Sequence, residues 1–173
     1  MVAEKEKKPV EGRGRRASVL ANVRESIGMV IKKKKPKNIA VFVDGPNILR
    51  KDLGIAMEDI KKALEKYGNL KIARVFLNQF ASNKLVEAVV NQGFETILTV
   101  GDIDVAMASD ATEAVFNKAI HSIAFVTRDS DFLPAITKAK RYGKETIVVL
   151  AEEASAAALK NTADIVIVLG AAK

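Results

Sequence analysis

From residue 38 onward, short apolar runs rich in β-branched residues alternate with segments whose apolar positions recur at helical spacing. The predicted strands are residues 39–43, 70–77, 94–100, 122–127, 146–150 and 165–169, the last of them at an edge. The predicted helices are residues 57–67, 82–93, 105–119, 132–142 and 154–163. Strands and helices that alternate in this way are typical of a parallel sheet with crossover helices. The pattern therefore predicts an α/β domain of three layers, with a mainly parallel sheet and helices on both faces.

Residues 1–37 differ from the rest in charge. They hold 12 Lys and Arg against 4 Asp and Glu, whereas the remaining residues hold 16 Lys and Arg against 17 Asp and Glu. The basic residues concentrate in two clusters, which are Arg13, Arg15, Arg16 and Lys32, Lys33, Lys34, Lys35. A flexible polycation binds a phosphate backbone without sequence preference by releasing counterions. We therefore expect a nucleic-acid-binding arm at residues 1–37 ahead of a domain at residues 38–173, with a solubilising tail as the alternative.

Between the two basic clusters, residues 18–31 show a helical pattern of their own. Leu20, Val23 and Ile27 recur at helical spacing after Ser18, a residue suited to cap a helix. The pattern predicts a short amphipathic helix. Such a helix can dock on the domain, pair with a second copy in a homo-oligomer, or lie on an anionic membrane surface, and the last use has the least support.

Composition excludes several classes of chemistry. The chain has no cysteine and a single histidine, His121. Disulfides, thiolate metal sites and cysteine nucleophiles are therefore excluded, and a reducing, cytoplasmic location is expected. No segment is apolar over the length that a membrane span needs. Phosphate-binding G-x-G-x-x-G and G-x-x-x-x-G-K-[ST] motifs are missing, and no G-x-S-x-G turn accompanies the histidine for acyl transfer.

Carboxylates follow three of the predicted strands. The first strand leads to Asp44, the third to Asp102 and Asp104, and the fourth to Asp129 and Asp131. In open parallel sheets, ligands bind outside the carboxyl ends of the strands. Each aspartate alone is better explained as a helix cap. Carboxylates that converge repel one another and need a cation, and oxygen ligands without cysteine favour Mg²⁺ or Mn²⁺ over zinc.

Three motifs resemble those of the NYN domain, in the LabA-like branch of the PIN-like ribonuclease superfamily, over residues 38–169. They read Phe42-Val43-Asp44-Gly45-Pro46-Asn47, Asp104-Val105 followed by Asp110, and Thr127-Arg128-Asp129-Ser130-Asp131-Phe132. The third motif is the most specific. The family often has serine-glycine at Thr127-Arg128 and lysine-glycine at Gly101-Asp102. This chain therefore has an additional cation, Arg128, beside the site, and it lacks the family's lysine at Gly101.

The resemblance implies a metal-dependent endoribonuclease that acts on single-stranded RNA. Its implied metal ligands and catalytic residues are Asp44, Asp104, Asp129 and Asp131. Asp110 is a weaker candidate ligand, because six residues beyond Asp104 it lies on another face of an ideal helix. The residues implied to contact the substrate are Asn47, Thr127, Arg128 and Ser130. For Asn47, the resemblance implies either orientation of Asp44 or contact with a phosphate.

Two functions of other classes stay open at this point. The first is a non-catalytic RNA-binding or adaptor module with the same fold and arm. The second is a metal-dependent phosphatase for small phosphate esters. Its usual Asp-x-Asp-x-Thr signature is missing at the first strand, where Asp44 is followed by Gly45, Pro46 and Asn47.

Overall fold

The computed structural model describes residues 36–152 and 156–170. Within these ranges the strands are β1 (Asn38–Asp44), β2 (Asn69–Asn78), β3 (Glu95–Thr99), β4 (Ser122–Val126), β5 (Glu145–Leu150) and β6 (Ile165–Val168). The helices are α1 (Gly45–Ile48), α2 (Met57–Glu65), α3 (Asn83–Asn91), α4 (Ile103–Phe116), α5 (Leu133–Arg141) and α6 (Ala157–Thr162). A 3₁₀ turn at Ser130–Phe132 precedes α5. The predicted α/β class is confirmed, whereas α1 and the 3₁₀ turn were not predicted.

All strand pairs are parallel, in the order β3-β2-β1-β4-β5-β6. Central strand β1 is buried on both faces, which explains its unbroken apolar sequence. Its alternate side chains, such as Val41 and Phe42, enter separate cores. Helices α2 and α3 cover the first core, and α4, α5 and α6 cover the second. The three layers and the edge position of β6 agree with the predicted architecture.

Local side-chain chemistry sets where the helices begin and end. The Ser82 hydroxyl accepts a hydrogen bond from the Leu85 N–H at 3.3 Å and so caps α3. Gly93 and Gly143 follow α3 and α5 with φ angles of 84° and 76°, a left-handed conformation that favours glycine. None of the described helices combines the length and apolar character that crossing a bilayer requires.

The direction in which successive strands are added to the sheet reverses between β1 and β4. Strands β1, β2 and β3 extend to one side, and β4, β5 and β6 extend to the other. The two central strands are neighbours, with Val43 opposite Val126. Such a switch point leaves a crevice at the carboxyl ends of the strands, because the adjoining crossovers diverge to opposite sides. Asp44 ends β1 and Asp129 follows β4, so both carboxylates lie at this crevice.

Lys37 is bonded to the domain, although it falls within the predicted arm. Its carbonyl accepts a hydrogen bond from the Asn69 N–H at 2.7 Å, and its Nζ pairs with Glu145 at 2.7 Å. Gly68 lies against the same carbonyl, with no space for a Cβ atom. Residues 1–35, with both basic clusters and the predicted helix at 18–31, lie outside the described residues. A truncation that spares the domain should therefore end at residue 35.

Candidate active site

Asp44 is the most buried carboxylate of the site, with 1% of its surface exposed. Its Oδ2 accepts hydrogen bonds from Asn47 Nδ2 at 2.6 Å and from Thr127 Oγ1 at 2.9 Å. Its Oδ1 accepts from the Asn47 backbone N–H at 3.4 Å. Burial of a carboxylate is costly unless hydrogen bonds replace its water. These donors therefore fix the orientation of Asp44, and the Asn47 side chain is one of them.

The residues that follow Asp44 turn the chain directly from β1 into α1. Asp44 is the N-cap of this short helix, and Pro46 lies in its first turn, where a missing N–H does no harm. Gly45 packs against β2, where an added Cβ would meet the Leu77 side chain and lie 2.6 Å from the Phe76 carbonyl oxygen. The motif therefore needs glycine because the backbone of a neighbouring strand is so close.

Thr127 joins the two central strands at the crevice. Fully buried, it donates its hydroxyl proton to Asp44 and accepts a hydrogen bond from the Asp129 N–H at 3.1 Å. Asp129 Oδ1 in turn accepts from the Asp131 N–H at 2.9 Å and caps the 3₁₀ turn. The Thr127 hydroxyl is thus engaged on both sides by protein groups. Thr127 therefore lies between two predicted metal ligands.

Asp104 lies in the first turn of α4 among other carboxylates. Burial, followed by the charges of Asp44, Asp129, Asp102 and Asp131, raises the pKa of Asp104 to about 6. All four predicted ligands are therefore close enough to interact electrostatically. Asp102 adds a fifth carboxylate, and it caps α4 by accepting a hydrogen bond from the Asp104 N–H at 2.9 Å. The structure brings the acidic ends of three strands together, as the sequence predicts.

Because folding raises the pKa of Asp104, its ionised form should destabilise the metal-free protein. This cost is absent below about pH 4, the usual aspartate value, and fully present above the folded-state value of about 6. Asp104→Asn should therefore raise the free energy of unfolding by about 1 kcal/mol at pH 8, after allowance for solvent screening. The gain should vanish near pH 4. Urea denaturation in EDTA at both pH values measures it, and an equal gain at both would contradict this explanation.

The donor chemistry of the site suits a hard cation, although the carboxylates do not form a closed cage. Within residues 36–152 and 156–170, no three Asp, Glu or His side chains converge closely enough to hold an ion among themselves. The polar groups at the crevice offer carboxylate, amide and hydroxyl oxygen. Mg²⁺ commonly keeps several waters and takes only one or two carboxylates from the protein. The residues therefore fit an ion that is bound partly through water.

A shallow depression lies beside the acidic cluster. Its volume is about 370 Å³, and it is lined by Asn47, Arg128, Asp129 and Ser130. Arg128 is half-buried there, which places a positive charge at the edge of a negative site. Three of the four residues predicted to contact the substrate thus share one open surface, and Thr127 lies beneath it.

The family model of the NYN domain matches residues 38–170, which include the three motifs around Asp44, Asp104 and Asp129. The chain belongs to the NYN domain family. NYN domains form part of the PIN-like nuclease superfamily. The match begins at the first residue of β1 and ends beyond β6, so it covers the whole described sheet.

Two similar proteins, one matched by sequence and one by fold, show how far the similarity extends. An uncharacterized protein of Methanocaldococcus jannaschii is 55% identical over 139 residues, which are 80% of this chain and 58% of that protein. The chain thus spans less than two thirds of that relative's length. The crystal structure of a Vibrio parahaemolyticus protein of unknown function has a TM-score of 0.68 at 19% identity, over 80% of this chain and 96% of that one. This second likeness shows a shared fold.

Two other residues considered from the sequence lie in different settings of the NYN domain. Asp110 Oδ2 accepts a hydrogen bond from Arg74 Nη1 at 2.9 Å, and Arg74 also binds Glu95 at 2.7 Å. The structure therefore places Asp110 in an ion-pair network and not with the carboxylates around Asp104. His121 Nδ1 accepts from the Asn38 N–H at 3.1 Å, at the amino end of β1. His121 is thus at the opposite end of the sheet from the acidic cluster.

Proposed function

We propose that this NYN domain is an endoribonuclease that cleaves single-stranded RNA at a Mg²⁺ or Mn²⁺ site formed by Asp44, Asp104, Asp129 and Asp131. The observation that carries the proposal is the gathering of these carboxylates at the switch point of the sheet. Mutual repulsion makes such a cluster unfavourable unless a cation binds there. The nuclease superfamily to which NYN domains belong indicates the reaction class. We also assign the chain to the LabA-like branch and to the cytoplasm.

The side chains of the site would have different roles according to their exposure. Asp104 and Asp129, which are half-buried, and Asp131, which is exposed, would hold the ion directly or through water. Buried Asp44 would complete the ligand set, with Asn47 and Thr127 as positioning residues that hold its carboxylate. A bound ion would lower the pKa of a water and offset charge on the phosphate. Arg128 and Ser130, which line the adjacent depression, would contact the phosphate backbone of the substrate.

Divalent metal should raise the melting temperature of the wild-type chain. A ligand that binds only the folded state stabilises it by about 2.7 kcal/mol at a concentration of 100 Kd. For a chain of this size, that corresponds to a shift of roughly 5–10 °C. Calorimetry with millimolar Mn²⁺ or Mg²⁺ measures it. The double variant Asp104→Asn/Asp129→Asn should show no shift, and an unmoved wild-type transition would count against the metal site.

One assay separates the proposed function from its two alternatives. The wild-type chain is incubated with labelled single-stranded RNA and, separately, with a generic phosphomonoester, each with Mn²⁺ and with EDTA. An endoribonuclease should cut the RNA internally in the presence of metal only. RNA binding without cleavage would indicate the adaptor module, and hydrolysis of the ester alone would indicate the phosphatase.

A further inference from the structure

Helix α5 carries a groove that begins beside the acidic site. It is open, has a volume of about 710 Å³, and is lined by Leu133, Pro134, Thr137, Lys138, Arg141 and Tyr142. These positions recur every four residues and so share one face of the helix. The opposite face buries Ala135, Ile136 and Ala139 in the core. We call this surface the α5 groove.

The α5 groove contains two cations that have no partner among residues 36–152 and 156–170. Lys138 and Arg141 make no ion pair or side-chain hydrogen bond with any described residue. Their basic neighbours differ, because Lys140 pairs with Asp164 at 2.9 Å and Lys144 donates to the carbonyl oxygens of Asn117 and Ile120. Although residues 38–173 are nearly neutral in total, with 16 basic and 17 acidic residues, this groove presents uncompensated positive charge. It therefore complements a polyanion.

Tyr142, at the far end of the groove, forms an aromatic pair with Phe116 of α4. Tyr142 and Phe116 contact each other edge to face, with ring centroids 5.1 Å apart and an interplanar angle of 69°. They remain 53% and 58% exposed. An exposed pair held in this geometry presents a rigid aromatic surface, on which a nucleic-acid base can stack whatever its identity.

The geometry points to the α5 groove as the binding surface for the single-stranded RNA that extends from the acidic site, an inference that rests on the proposed function. Lys138 and Arg141 bind phosphates, and a base stacks on the pair of Tyr142 and Phe116. Leu133 comes two residues after Asp131, so the groove continues from the crevice. Along α5, about 13.5 Å separates Leu133 from Tyr142, which accommodates about four stacked nucleotides.

Charge argues against a second copy of this chain as the occupant. A two-fold contact is formed by the same patch on both subunits. Such a contact through the α5 groove would bring Lys138 and Arg141 of one subunit close to the same two residues of the other. It would therefore bury like charges. A single RNA strand supplies instead both the anions and the planar rings that this surface is suited to bind.

The test measures how the full chain binds a labelled single-stranded RNA in EDTA, by fluorescence anisotropy over a range of salt concentrations. Lys138→Ala/Arg141→Ala should weaken binding about tenfold at low salt and lower the log–log salt slope by about 1.4, since each lost phosphate contact removes about 0.7. Tyr142→Ala should weaken binding about tenfold with the slope unchanged, and Tyr142→Phe should restore it. Far-UV circular dichroism verifies the fold of each variant.

A matched control lies on the other face of the sheet. Lys66→Ala/Lys84→Ala removes the same two charges from exposed positions near α2 and in α3, and should stay within about twofold of wild type. If the α5 double variant equals this control, or lowers the sedimentation coefficient and not the RNA affinity, the α5 inference is overturned. Metal-dependent cleavage by the wild type would then leave the proposed function standing. A wild type that neither binds nor cuts RNA overturns both.

Discussion

Asp104→Asn should lower the metal-dependent cleavage of RNA by about a thousandfold or more, with the fold intact. The substitution is nearly isosteric, but it removes a negative charge from the site that would hold the ion. Loss of the stabilisation that a metal ion gives to the reacting phosphate amounts to several kcal/mol, and about 1.4 kcal/mol corresponds to a factor of ten in rate. Single-turnover cleavage of labelled RNA at saturating Mn²⁺ measures the effect, with circular dichroism to verify folding.

Two neighbouring aspartates of the same helix region provide controls. Asp102→Asn removes a carboxylate two residues away, but asparagine caps a helix as well as aspartate does. Asp110→Asn removes a carboxylate that is bound to Arg74 and lies apart from the cluster. Both variants should retain activity within several-fold of wild type. If Asp102→Asn matched the loss of Asp104→Asn, general negative charge would explain the result, and an unfolded Asp104→Asn protein would indicate a structural carboxylate.

Asp44→Asn should behave differently from Asp104→Asn, although both residues were predicted from the sequence as equivalent ligands. Asp44 is buried and accepts hydrogen bonds from donors of Asn47 and Thr127. An amide there offers one acceptor oxygen in place of two and turns an N–H group towards existing donors. A poorly matched buried polar group costs about 1–3 kcal/mol. Loss of activity at Asp44 would therefore come with loss of stability.

The sequence predicted the convergence of the carboxylates because parallel topology is encoded locally. Buried strands and amphipathic helices have distinct periods, and the carboxyl ends of parallel strands must share one edge. The order of the strands in the sheet, in contrast, depends on contacts between residues that are distant in the sequence. The adjacency of β1 and β4, on which the hydrogen bond between Asp44 and Thr127 depends, is a contact between residues 83 positions apart. The family resemblance therefore pointed to Thr127 as a site residue, but the bonds of its hydroxyl to Asp44 and to the Asp129 N–H could not be predicted.

Short elements and boundaries were less predictable for related reasons. Helix α1 and the 3₁₀ turn are too short to show a period, and they form because Asp44 and Asp129 bond to backbone N–H groups that follow them. Helix α4 begins at Ile103, two residues before its predicted start, because Asp102 caps it. The ion pair of Asp110 joins it to Arg74 in β2, a residue 36 positions away. Each of these features depends on a specific side-chain bond that hydrophobic periodicity does not reveal.

Neutralising the basic arm should weaken binding to long single-stranded RNA and flatten its salt dependence. The variant replaces Arg13, Arg15, Arg16 and Lys32, Lys33, Lys34, Lys35 by glutamine in the full chain. Residues 38–173 hold 16 basic against 17 acidic residues and an acidic crevice, so they attract a polyanion weakly. If all seven cations contact phosphates, the log–log salt slope should fall by about 5, because each contact contributes about 0.7 on single strands.

The variant with the neutralised arm should bind RNA more weakly and have a higher KM, whereas kcat at saturating RNA should be nearly unchanged. An arm that binds substrate and transition state equally contributes uniform binding, which does not alter the chemical step. Deletion of residues 1–35 should reproduce the result, since it leaves the bonds of Lys37 to Asn69 and Glu145 in place. Wild-type affinity and salt slope in both variants would exclude the arm from RNA binding. The segment around Leu20, Val23 and Ile27 would then be tested for self-association by analytical ultracentrifugation of the same two proteins.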